Sequence, residues 1–216
     1  MNFFTSVLIL LLSISQSFGQ NFLFEKGQSG FHLLGNAGIY DTSPYLGVST
    51  GYTVKGRLTL QFFGQKGFES KNRSEVNQFG VDVNYLVLKQ NQRMPISLGL
   101  GAGYTRNSIQ ESSFTSNVYH INGGLYHKIS LKKDWSVIPG LLIGYSLHYD
   151  PECVDGCNPE GINSKLMVNF RKGRFTFTPS YQLTNYQIST ESGSSSITKN
   201  YRISAYELKF GMIIPN

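Results

Sequence analysis

From residue 31 onward, apolar side chains recur at every second position, separated by small or polar ones. Strict alternation marks a strand with two unlike faces. The segment from Trp135 to Tyr149 is the clearest: Trp135, Val137, Leu141, Ile143, Tyr145, Leu147 and Tyr149 alternate with Ser136, Gly140, Gly144, Ser146 and His148. Nine further segments read the same way: 31–39, 46–54, 58–62, 79–87, 96–104, 119–131, 162–170, 175–183 and 201–212. Most reach the roughly 9–11 residues that a tilted membrane-spanning strand needs. The first and eighth are weaker, which leaves eight strands open beside ten. In the last segment Tyr201, Ile203 and Ala205 are odd while Tyr206 onward is even, which predicts a bulge near Ala205. Leu34, Phe63, Leu86, Leu88, Ile138 and Leu142 break the pattern by falling on the polar parity. Pro139 and Pro179 sit inside predicted strands, where each removes a ladder donor.

Connections also alternate. Lys55-Gly56, Lys89 to Met94, Lys132-Lys133 and Lys172-Gly173 are short, whereas Glu69 to Ser74, Asn107 to Ser116, Asp150 to Glu160 and Ser189 to Asn200 are long. The first, Asp41 to Ser43, is an exception. Short turns on one side and long loops on the other belong to a transmembrane barrel with an even strand number. The expected fold is therefore all-β, a closed antiparallel transmembrane barrel of about ten strands.

The leader supports export. Residues 1–19 read as a cleaved signal peptide: the run Val7 to Leu12 is too short to span a bilayer, and Ser17 and Gly19 are small residues before Gln20. The region Met1 to Ser6 has no Lys or Arg side chain. Residues 20–216 then form one barrel domain. Composition agrees. Charged residues are 15% of the chain, against roughly 25% in a typical soluble domain. With 15 Phe, 13 Tyr and 23 Gly, the chain is poorly suited to a helical bundle, a coiled coil or a disordered tail.

The formal net charge is +6, and its placement follows loop parity. Nine of 19 basic residues sit at the short turns, and nine of 13 acids lie on the long-loop side. A basic rim can attract anionic headgroups or periplasmic partners. Polar turns alone would give the same count. Nucleic acid is not implied, because no helical basic face or binding motif is present.

With the leader, the ten segments and Gly-rich strands such as Gly99-Leu100-Gly101-Ala102-Gly103-Tyr104, the chain resembles the small outer-membrane β-barrel proteins of Gram-negative bacteria. It is most similar to the short porin-like barrels of Bacteroidetes. The resemblance covers residues 21–216 and concerns architecture rather than role. It implies outer-membrane lipid and the barrel assembly machinery as partners. That machinery reads a terminal aromatic in many such proteins; here the chain ends Phe210-Gly211-Met212-Ile213-Ile214-Pro215-Asn216, and Phe210 is the candidate stand-in. Tyr40, Tyr45, Tyr104, Tyr119, Tyr149 and Trp135 fall near strand ends, where aromatic girdles sit.

A narrow lumen is expected, because barrels of about eight strands are filled by side chains. The inward parity collects Arg57, Asp82, Lys128, Lys165, Arg174, Glu207 and Lys209, with Arg202. These read as a plug of paired charges, since lone buried charges are costly; a selectivity element is the alternative. Cys153 and Cys157 flank Val-Asp-Gly in the longest outer loop, where export makes a disulfide the default over a metal site. His148 and Asp150, with Asp41, could form a rim general base, loosely similar to the ten-stranded outer-membrane proteases. His127 reads as an interfacial anchor. No phosphate loop or nucleophile elbow is present. The leading expectation is a non-enzymatic, cofactor-free barrel with a structural or surface-interaction role. Small-solute channel, rim hydrolase and soluble ligand-binding barrel are the alternatives.

Overall fold

The computed structural model describes residues 27–41, 43–68, 75–109, 115–131, 134–149, 160–192 and 195–216. Residues 1–19, expected to be a signal peptide, and Cys153 and Cys157 lie outside the described residues. The strands are β1 (Gly30–Tyr40), β2 (Ser43–Val54), β3 (Leu58–Gly67), β4 (Val76–Leu88), β5 (Ser97–Ile109), β6 (Thr115–Tyr126), the stub β7 (Ile129–Ser130), β8 (Trp135–Tyr149), β9 (Glu160–Lys172), β10 (Phe175–Ser192) and β11 (Ser195–Pro215). Each pairs antiparallel with its sequence neighbour. β6 and β7 both pair with β8, so they act as one interrupted strand. Pairing of β1 with β11, from Gly30–Pro215 to Tyr40–Ala205, closes the wall. The result is a ten-stranded up-and-down barrel, and the eight-strand alternative falls away.

The two faces sort as the alternation requires, but inverted relative to a soluble protein. Phe79 is 63% exposed on the outside, in a belt that includes Phe31, Leu46, Phe62, Ile121, Ile143, Leu166 and Phe210. Asp82, Asn84, His120, Asn163, Lys165 and Glu207 are buried inside. A closed barrel with an apolar outer belt leaves no unpaired backbone edge in hydrocarbon. A soluble ligand barrel needs the opposite distribution, which counts against that alternative. Tyr104, Tyr119, Tyr149 and Trp135 are at least partly exposed, as girdle residues should be, but Tyr40 and Tyr45 turn into the lumen and are buried.

The short turns are chemically explicit. Lys55 and Gly56 both have positive φ, 51° and 61°, and Arg57 N donates to Val54 O at 3.0 Å. Positive φ at both central residues is what a two-residue hairpin turn needs to match strand twist. On the long-loop side, residues 189–192 and 195–200 belong to β10 and β11, so most of the loop expected there is a continued hairpin.

Register differs from expectation in two places. No shift occurs in β11; odd positions face inward throughout, so Ile203 and Ala205 line the lumen and Arg202 points out. The shift lies instead in β4–β5, between Leu86 and Leu88, so that Leu86 is buried and Leu88 is exposed. Two other interruptions are bridged by amide side chains. Gln90 Oε1 accepts from Lys128 N at 2.6 Å while its Nε2 donates to Lys128 O at 2.9 Å, standing in for a strand between β6 and β7. Pairing of β9 with β10 skips Thr178 and Pro179, and there Asn169 Nδ2 donates to both Thr176 Oγ1 and Thr178 Oγ1.

Candidate functional site

The lumen is the one place where the fold gathers chemistry-bearing side chains from many strands. It is layered along the barrel axis. Both described chain ends and the short turns lie at one end, and the long loops at the other.

The middle layer is polar and charged. Glu207 on β11 is its hub. Its Oε2 receives Lys165 Nζ from β9 at 2.5 Å and lies 3.6 Å from Lys209 Nζ, while Oε1 accepts from Asn36 Nδ2 at 3.4 Å. Ser180 Oγ on the intervening strand donates to Oε2 at 3.4 Å. On the facing wall Asp82 Oδ1 pairs with His120 Nε2 at 2.8 Å, and both side chains are 1% exposed. Asp82 and His120 belong to β4 and β6 and straddle Gly103 on β5, where a Cβ would overlap both. Glycine here lets two side chains from non-adjacent strands meet. Two carboxylates and two ammonium groups balance, which is how a narrow interior tolerates ions that would be costly alone.

Toward the short turns an apolar cluster takes up part of the lumen, beside buried polar side chains such as Thr53, Thr59 and Asn169. Tyr126, Ile138, Leu142, Met167 and Ile213 form one buried cluster. Leu34 and Leu86 are buried there as well, with Leu34 packed over Gly211. A mouth pocket of about 420 Å³ enters from the short-turn rim, lined by Gln90, Ser97 and Lys128, and meets Leu86, Tyr126 and Ile138 at its inner wall. Toward the long loops, aromatic rings occupy the lumen: Tyr40 against Tyr45 at 5.3 Å, and His148 edge-on to Tyr186 at 5.5 Å. Tyr186 lies over Gly161, where no side chain competes for the space.

Of the seven lumen residues expected from parity, Asp82, Lys165, Glu207 and Lys209 meet in the middle layer. Arg57 and Arg174 do not join them. Arg57 is half-buried in the β2–β3 turn, its carbonyl accepting from Leu86 N at 2.8 Å; Arg174 is exposed in the β9–β10 turn. Lys128 lies in the β6–β7 interruption at the mouth. Parity counted from a strand end cannot tell a strand residue from a turn residue one step beyond it. His120 and Asn36 completed the two charge clusters without having been singled out, although their inward parity was visible. His148 is fully buried, and neither ring nitrogen has a hydrogen-bond partner among the described residues. Asp150 lies outside the described residues, and Asp41 is exposed. Among the described residues the His–carboxylate pair that forms is His120–Asp82, buried inside the barrel. His127 Nδ1 bonds Pro95 O at 2.5 Å, at the β5 entry.

A scan against protein-family models finds no match, and a search among curated proteins finds none. Solved structures share the shape distantly. The beta domain of the Bordetella autotransporter BrkA is similar over 85% of this chain and 98% of its own, at 10% identity and a TM-score of 0.45. The KdgM porin is similar over 85% and 98%, at 12% identity and 0.41. The outer membrane protease OmpT from Escherichia coli is similar over 88% and 95%, at 10% identity and 0.39. At values this low, none of the three bears on what this barrel carries or does.

Proposed function

We propose that the protein is an integral outer-membrane barrel whose lumen is plugged, with a structural or surface-interaction role rather than a catalytic one. The observation that carries this reading is the stacked filling of the interior: an apolar seal of Leu34, Leu86, Ile138, Leu142 and Ile213, then the Lys165–Glu207–Lys209 and Asp82–His120 layer, then the aromatic layer. The apolar outer belt supports the membrane setting. The basic short-turn rim supports an orientation with that end toward the periplasm, where barrels keep their short turns. The burial of the one His–carboxylate pair argues against a hydrolase, since no substrate carbonyl could reach it.

Purified protein should shift on a gel when heated, as a folded barrel does, and should give no discrete conductance steps in a planar bilayer. Stable unitary steps from the heat-shifting form would replace the plug with a channel. Polar atoms beside and above the apolar cluster favour that second reading: His32, level with Ile213, and Gln61 and Asn84 nearer the middle present buried groups without hydrogen-bond partners among the described residues, which a hydrated path would satisfy.

A further inference from the structure

The outer wall has two apolar depressions of similar size and different origin. One, about 620 Å³, lies over Gly123, which faces outward between Leu100 and Ile143 and has no side chain to fill the space. The other, about 670 Å³, is built by prolines. At its centre Val168 on β9 is the register neighbour of Pro139 on β8. On the opposite side it faces Pro179 on β10, where the ladder is interrupted. Neither proline has an N–H to donate to the strand between them. The wall is also thin here. Gly140 has no side chain, and the seal residues Tyr126 and Met167 reach the floor of the groove. The rings of Tyr181 and Tyr206, 4.8 Å apart and tilted by 40°, close it toward the middle of the barrel.

Toward the short turns the groove ends at His127. Of the strands that line it, β9 ends at Lys172 and β10 is entered from Arg174, with Lys172 Nζ 5.4 Å from the centre of the Trp135 ring. Lys172 and Arg174 are exposed. Neither depression has a Lys, Arg, Asp or Glu in its own lining; the cations stand beyond the short-turn end of the proline groove. We propose that the Pro139–Pro179 groove holds one acyl chain of an anionic diacyl phospholipid, with the phosphate at Lys172 and Arg174. The charge of the rim selects the headgroup, and the line from cationic rim to apolar groove is the line of a lipid from phosphate to chain. The inference rests on the membrane reading above. It adds a bound lipid whose chain touches the same seal that closes the lumen.

The test uses the full chain refolded into phosphatidylcholine vesicles with a minor fraction of phosphatidylglycerol. The heat-dependent gel shift establishes insertion, and native mass spectrometry of the extracted barrel identifies retained lipid. One phosphatidylglycerol should remain, enriched over its mole fraction. Lys172→Gln and Arg174→Gln should each reduce the enrichment about fivefold, the typical worth of one cation near an anionic surface. Val168→Phe, which fills the groove, should abolish retention, while Gly123→Leu, which fills the glycine depression, should leave it unchanged. An inserted barrel without enrichment, or a Val168→Phe barrel that retains the lipid as well as the parent, overturns the lipid site alone. A chain that gives no heat shift and fails to insert overturns the membrane reading and the lipid site with it.

Discussion

The apolar seal and the charged layer are built on the same strands and the same parity, one turn of side chains apart, yet they hold by opposite physics. The seal is held by dispersion and exclusion of water, spread over Tyr126, Ile138, Leu142, Met167 and Ile213. No single member is indispensable, and losing one leaves a cavity. The charged layer converges on one residue, Glu207, which neutralises Lys165 and Lys209 together. Losing it leaves two buried ammonium groups facing each other. The comparison teaches that a filled lumen can be tolerant at one level and intolerant at the next.

Four substitutions would break or sharpen this contrast. The largest effect is expected from Glu207→Ala, which should cost about 3–5 kcal/mol, the scale for breaking a buried ion pair from one side. Urea titration of the vesicle-inserted barrel, followed by the fluorescence of the chain's single tryptophan, Trp135, measures it. A cost near zero would mean that water already screens the lumen. Next is Leu142→Ala at a position 0% exposed, with a cost of about 2–5 kcal/mol. Combined with Ile213→Ala it should keep the heat shift and introduce conductance steps, because the polar layer above is then open to the mouth pocket. Continued silence would assign closure to the charged or aromatic layer instead. The smallest effect is expected from Lys66→Gln. Lys66 Nζ and Glu75 Oε2 are 2.8 Å apart but partly exposed, so the cost should stay within about 1 kcal/mol and vanish at high salt. A cost matching that of Glu207→Ala would remove the distinction between buried and exposed pairs.

The residues that violated the alternation proved the most informative about the lumen. Leu34, Leu86, Ile138 and Leu142 looked like noise in a clean two-faced pattern, and they form the seal. The prolines at 139 and 179 looked like defects in strands, and they frame the groove around Val168. Other irregularities misled. The change of phase near Ala205 suggested a bulge, whereas Ile203 and Ala205 are inward-facing apolar residues on an unbroken ladder.

What the sequence by itself determined is the barrel architecture, the face that most strand residues present and the end at which each turn lies. These follow from period, turn chemistry and loop length, all of which are local. Tertiary structure alone decided which inward residues touch. Asp82 meets His120 only because β4 and β6 flank Gly103 at one height, and Glu207 meets Lys165 only because β9 and β11 are staggered across Ser180. Height in a barrel depends on the register of every ladder between two strands, and a single shift, such as that at Leu86, moves all that follows. Period along one strand carries no information about that sum.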